Sequence, residues 1–112
     1  MDSSKRDRLP GTARRIAENN PAVWEAYNRL GKEVAEAGPL SRREMRLVKI
    51  ALAMGIQSEG AVHSHARRGR AEGLSEEDLH HVAVLAIPTI GFPRAAAACS
   101  WLGDDAGESA GY

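Results

Sequence analysis

The sequence predicts an all-α fold, a single-domain helical bundle of five to six helices. Apolar residues recur at helical spacing in one segment after another, and two serine-headed starts carry the acids of a capped helix. No run of alternating β-branched residues is long enough for a strand. The nearest approach, "VAVLAIPTI" at 82–90, follows a strong helix start and reads as helix.

Length and composition fit this class. A chain of 112 residues holds one domain and buries roughly two-thirds of its unfolded surface. Aromatic residues are only 4% of the chain, so the core is expected from Ala, Leu, Val, Ile and Met. Small side chains let helices approach closely and leave apolar patches that self-association covers.

Taken in order, residues 1–19 read as a loose basic N-terminal arm with a short helix at "TARRIAENN", closed by Asn19-Asn20. The helical domain is expected over 20–102. Its first helix has Pro21 near the start and Gly38 at the end, with Val23, Tyr27, Leu30 and Val34 on one stripe flanked by Trp24. "PLSRREMRLVKIALAMG" opens on a Ser41/Glu44 capping-box spacing and closes at Gly55. It is apolar around much of its circumference, which predicts a central position. The next helix spans about Gln57 to Glu72 and is ended by Gly73. Another capped start follows, with Ser75 as N-cap and acids at 76–78, where the helix dipole favours them. Pro88 is expected to end that helix. After a tight connector, an Ala-rich helix runs from Pro93 to Leu102, and 103–112 is expected to be a flexible acidic tail.

Fifteen basic and fifteen acidic side chains cancel, which argues against a nucleic-acid partner. The N-terminus lacks the apolar core of a signal peptide, and no apolar run approaches the roughly 20 residues of a membrane span. One cysteine, Cys99, excludes an internal disulfide framework. The expectation is a soluble, cytoplasmic protein without a membrane partner.

Four histidines are the main candidates for chemistry. His63 and His65 stand two apart on one helix and so point roughly 200° apart, at about 100° per residue. They cannot share a metal. His63 with Glu59 and Arg67 reads as a solvent-facing charge ladder, since a metal site there would need ligands from elsewhere. His65 shares its face with Ser58, Ala61, Val62, Gly69 and Glu72, which predicts a partly buried imidazole, either a satisfied core residue or a proton-transfer group. His81 falls near an apolar stripe and could reach the helix of His65, whereas His80 is expected to be exposed. Arg42, Arg46 and Lys49 form a basic stripe, read as a solvated edge or a carboxylate-binding one. Cys99 lies among alanines and reads as a buried structural thiol.

The run "RLVKIALAMGIQSEGAVHSHARRGRAEGLSEEDLHHVAVLAIPTIGFPRAAAACSWL" resembles the carboxymuconolactone decarboxylase-like family, within the alkylhydroperoxidase-D-like proteins. The likeness covers about residues 20–102. It rests on the order of an apolar helix, a small-residue turn, a His-bearing helix, the capped "GLSEED" start, "HV", and the "AIPTIGFP" connector. It implies an all-helical subunit associating into a ring-shaped homo-oligomer, a trimer or hexamer. The peroxidase branch of that family carries a Cys-x-x-Cys-x-x-x-His motif. His65 matches its histidine, and the two cysteine positions fall on Ser58 and Ala61. The upstream glutamate of its proton relay falls on Arg46 by direct count, with Glu44 the alternative under a shifted helix register. Dithiol peroxidase chemistry needs both thiols, so the peroxiredoxin-type activity known at family level is the least supported reading. The decarboxylase branch works without them. The resemblance therefore implies a lyase acting on a small carboxylic acid or lactone, with Arg46 holding a carboxylate, His65 delivering a proton and His81 as a second polar group. A cysteine-less accessory or binding protein is the alternative. No cofactor and no metal is expected.

Overall fold

A computed structural model describes residues 11–104, and they form six helices joined by short turns, with no strand among the described residues. They fall into two compact units divided after Pro39. The arm expected over 1–19 and the tail expected over 103–112 lie largely outside the described residues. Inside them, the first expected stretch is helical and the last helix continues to Asp104.

The first unit holds α1 (Gly11–Asn19) and α2 (Pro21–Ala35). Pro21 sits at the first position of α2, where its missing N–H costs nothing. The helix stops at Ala35, three residues before the expected Gly38, with Glu36 as C-cap. Val23, Tyr27, Leu30 and Val34 are all exposed on α2, and Trp24 stacks at a tilt on Tyr27, ring centroids 5.6 Å apart.

The second unit holds α3 (Arg42–Gly55), α4 (Glu59–Ala71), α5 (Glu76–Ile90) and α6 (Phe92–Asp104). Both capping boxes form. Ser41 Oγ accepts from the Glu44 amide while the Glu44 carboxylate accepts from the Ser41 amide, and Ser75 and Asp78 do the same for α5. Ser58 caps α4, accepting from the Ala61 amide. Just before it, Gln57 takes a positive φ of 57°, unusual for a residue with a side chain. Its amide donates to the Met54 and Arg94 carbonyls, which holds the tight α3–α4 turn against α6.

Pro88 does not end α5, which runs on to Ile90. Only the last turn follows the proline, so the backbone donor it lacks interrupts little of the helix. Gly91 (φ 95°) makes the whole connection to α6, a conformation that glycine adopts at no cost from a side chain. Pro93 then stands in the first turn of α6, which starts at Phe92 and not at the expected Pro93.

The core gathers Ile50, Ala53 and Met54 of α3, Val62 and Ala66 of α4, Leu79 and Ala83 of α5, Ala98 and Leu102 of α6, and Leu74. Ile50, Met54, Val62 and Leu79 are fully buried, each stabilising the unit by roughly 1.5–3 kcal/mol. As the apolar pattern of α3 predicts, that helix packs on α4, α5 and α6. Two ion pairs tie the ends together. Arg43 grips Asp78 at 3.0 and 3.3 Å, and Arg70 grips Glu76 while also donating to the Leu102 carbonyl at 2.7 Å.

α4 ends in a turn that matters for the site. The Gly73 amide donates to the Arg70 carbonyl and the Leu74 amide to the Gly69 carbonyl, the paired bonds of a Schellman cap, with Gly73 at φ 102°. Leu74 folds back over Gly69. A Cβ at Gly69 would lie 2.8 Å from Leu74 Cδ1, 3.4 Å from Arg46 Cγ and 3.5 Å from Ile50 Cδ1. Glycine is what lets α3 and the Leu74 cap close over α4 here.

Gly69→Val should destabilise the chain by about 2–3 kcal/mol, because the added methyls have no room to enter, whereas Gly60→Ala, into open space, should stabilise by about 0.5 kcal/mol; thermal denaturation of the two variants checks both signs. The Arg43 guanidinium and the Ser75 amide hold the Asp78 carboxyl down from the ordinary 3.8 to about 2. A carboxyl with a depressed folded-state pKa adds stability above its ordinary value and loses it as pH falls through the folded one. Asp78→Asn should therefore lower stability at neutral pH and flatten its decline between pH 3.8 and about 2, read by denaturant midpoints across that range.

Candidate functional site

The basic stripe predicted on α3 faces the His65 side of α4. Arg46, two turns short of the buried end of α3, reaches α4 over the gap that Gly69 leaves. There its Nε and Nη2 donate to Glu72 Oε1 and Oε2 at 2.9 and 3.0 Å, a bidentate pair only 13% and 23% exposed. Its Nη1 donates to His65 Nδ1 at 2.7 Å. Glu72 is the C-cap of α4, so the Schellman turn that ends the helix also sets its carboxylate opposite Arg46. His65 and Glu72 are seven residues apart, two turns along one face.

The tautomer follows from the donor. A guanidinium has N–H groups and no acceptor, so His65 Nδ1 must be the unprotonated nitrogen and Nε2 carries the hydrogen. No hydrogen-bond partner for Nε2 occurs among the described residues. The imidazole is half-buried. Loss of solvent, then the charges of Arg46, Arg68 and Lys49, bring its pKa down from 6.5 to about 4, against a smaller opposing effect of Glu72. His65 is therefore a neutral imidazole at physiological pH, presenting an N–H donor in a field of positive charge. The Glu72 carboxyl is held below its ordinary range, first by its hydrogen bonds to Arg46 and further by Arg42 and Arg68. Among the described residues Arg42, Lys49 and Arg68 have no hydrogen-bonded acidic partner.

The other sequence candidates lie elsewhere. His81 opens onto a cavity of about 400 Å³ between α3 and α5, lined mainly by Leu47, Val48, Val82 and Leu85 with the Arg43–Asp78 pair at its edge. None of the residues around His65 lines it. His63 pairs with Glu59 at 3.7 Å, the helical ladder that its spacing predicts. Among the described residues no group of three or more His, Cys, Asp or Glu side chains is placed to hold a metal ion. Cys99 is half-buried against the core, not fully buried, with its Sγ 3.7 Å from Nδ1 of the exposed His80. Both line a second cavity, of about 420 Å³, between α5 and α6. Ser58 and Ala61, the positions matching the peroxidase cysteines, do not line that cavity.

Glu72 is the residue that sequence reasoning left without a role. Its position on the His65 face was legible, but its partner came from another helix, and a bidentate pair across helices has no sequence period.

A family model described as the carboxymuconolactone decarboxylase family matches residues 21–104. Among curated proteins none matches the sequence. Among solved structures, a candidate carboxymuconolactone decarboxylase from Burkholderia xenovorans LB400, determined at 1.65 Å, is similar in fold, with a TM-score of 0.64. The two share 23% identity over 92% of this chain and 84% of that one. The family match extends over the whole of α2 to α6 and takes in Arg46, His65 and Glu72, so this chain belongs to the carboxymuconolactone decarboxylase family.

Proposed function

We propose that the protein is a decarboxylase-like lyase acting on a small carboxylic acid or lactone at the His65 site. One observation carries this reading: a half-buried neutral imidazole whose Nε2–H is unpartnered among the described residues, set beside Lys49 and Arg68, cations with no hydrogen-bonded acidic partner among those residues. Arg46 spends three of its donors on Glu72 and His65, so the substrate carboxylate falls to Lys49 and Arg68. In the reaction the C–C bond to a carboxylate breaks and carbon dioxide leaves. The electron pair passes into a conjugated carbonyl, whose oxygen takes up the negative charge. The Nε2–H of His65 donates to that oxygen as charge develops, the work of an oxyanion hole. Water then supplies the proton to carbon, because an imidazole with so low a pKa is rarely protonated at neutral pH. His81 has no part in this scheme. Subunits are proposed to associate, as the resemblance implies, in a ring.

The test is a thermal-shift screen of small carboxylic acids and lactones, followed by assays of carbon dioxide release on every hit. His65→Ala should lower turnover by about 10²–10³-fold, the usual cost of one oxyanion donor. Lys49→Met and Arg68→Met should each weaken substrate affinity by on the order of tenfold. Hits whose binding and turnover are untouched by all three changes would remove the site from the reaction. Binding without turnover would make the protein a binding module.

A further inference from the structure

The guanidinium of Arg46 is held at one end and used at the other. We infer that Glu72 is a positioning residue: by gripping Nε and Nη2 of Arg46 it aims Nη1 at Nδ1 of His65, and so keeps His65 as an imidazole whose Nε2–H faces away from the pair. The geometry leaves Arg46 little choice. Three converging hydrogen bonds of 2.7–3.0 Å fix the plane of a side chain that otherwise has many rotamers. Both ends of the grip are fixed in turn. Gly69 lets Arg46 Cγ lie close against α4, and the Schellman turn pins the backbone of Glu72.

Protonating His65 would put a hydrogen on Nδ1, facing the Nη1 donor of Arg46, so the grip acts against the imidazolium as well as orienting the ring. The charges around the imidazole are Arg46 and Lys49 from α3, Arg68 from α4, and Glu72 at its C-cap. Glu72 thus has two effects of opposite sign. Its negative charge favours the imidazolium directly, and its grip on Arg46 disfavours it. The catalytic meaning of this arrangement rests on the function proposed above, but the positioning role has its own readout.

The two effects separate in a titration of His65 by ¹⁵N NMR in the full-length chain. If Glu72 positions Arg46, then Glu72→Gln frees the guanidinium to swing toward solvent, and the His65 pKa rises from about 4 toward 6.5. If Glu72 acts only by its charge, the same change leaves Arg46 unopposed and the pKa falls further. Glu72→Asp keeps the charge but draws the carboxylate back by one methylene. It should give a smaller rise under the positioning role and a slight fall under the charge role, and it decides the matter should Glu72→Gln not fold. A His65 pKa at or below the wild-type value in Glu72→Gln, or in Glu72→Asp where only that variant folds, overturns the inference. Raised values with no turnover of any acid or lactone would retire the lyase reading and leave the positioning role standing. Unchanged values with His65-dependent turnover would do the reverse.

Discussion

The close approach of α3 to α4 at Gly69 is the constraint on which the four-helix unit and its site both depend. A single absent Cβ leaves room for Leu74 Cδ1, Arg46 Cγ and Ile50 Cδ1 in one small volume. Leu74 and Ile50 belong to the core, and Arg46 belongs to the site, so one contact serves packing and chemistry together. The Schellman turn after Gly69 is the second half of this device. It returns the chain so that Leu74 covers the glycine, and it sets Glu72 where Arg46 can reach it.

Arg46 then decides what His65 can do. An imidazole with a carboxylate on Nδ1 is a better base and a readier cation. With a guanidinium there it becomes neutral and a fixed donor, and the neighbouring Lys49 and Arg68 push the same way. The same stripe of cations that makes His65 a poor proton carrier suits the region to an anionic ligand. A partly buried guanidinium is itself costly unless it is fully paired, and the bidentate bond to Glu72 meets that cost.

The remaining polar groups are distributed over other faces. His81 belongs to the α3–α5 cavity, while His80 and Cys99 belong to the α5–α6 cavity. Both cavities are apolar, and α3 and α5 leave Val48, Leu52, Val84 and Leu85 exposed beside them. That exposure follows from the composition, because a chain with so few aromatic side chains has little with which to cover its small-residue helices.

The sequence by itself determined the helices and the capped starts of α3 and α5. Ser41 and Ser75 cap as their spacing requires, since capping is settled by residues three or four apart, whereas Ser58, expected within its helix, caps it instead. The same local logic separated His63 from His65, because the angle between them is a property of one helix. Local signals misjudged Pro88 and the end of α2, where a missing donor or a glycine matters less than the turns around it. What only the tertiary structure decided was the set of partners. Glu72 grips Arg46, His81 turns to another cavity, and Cys99 meets His80. Each depends on which helix faces which and at what distance, and at the centre that distance is set by the side chain Gly69 does not have.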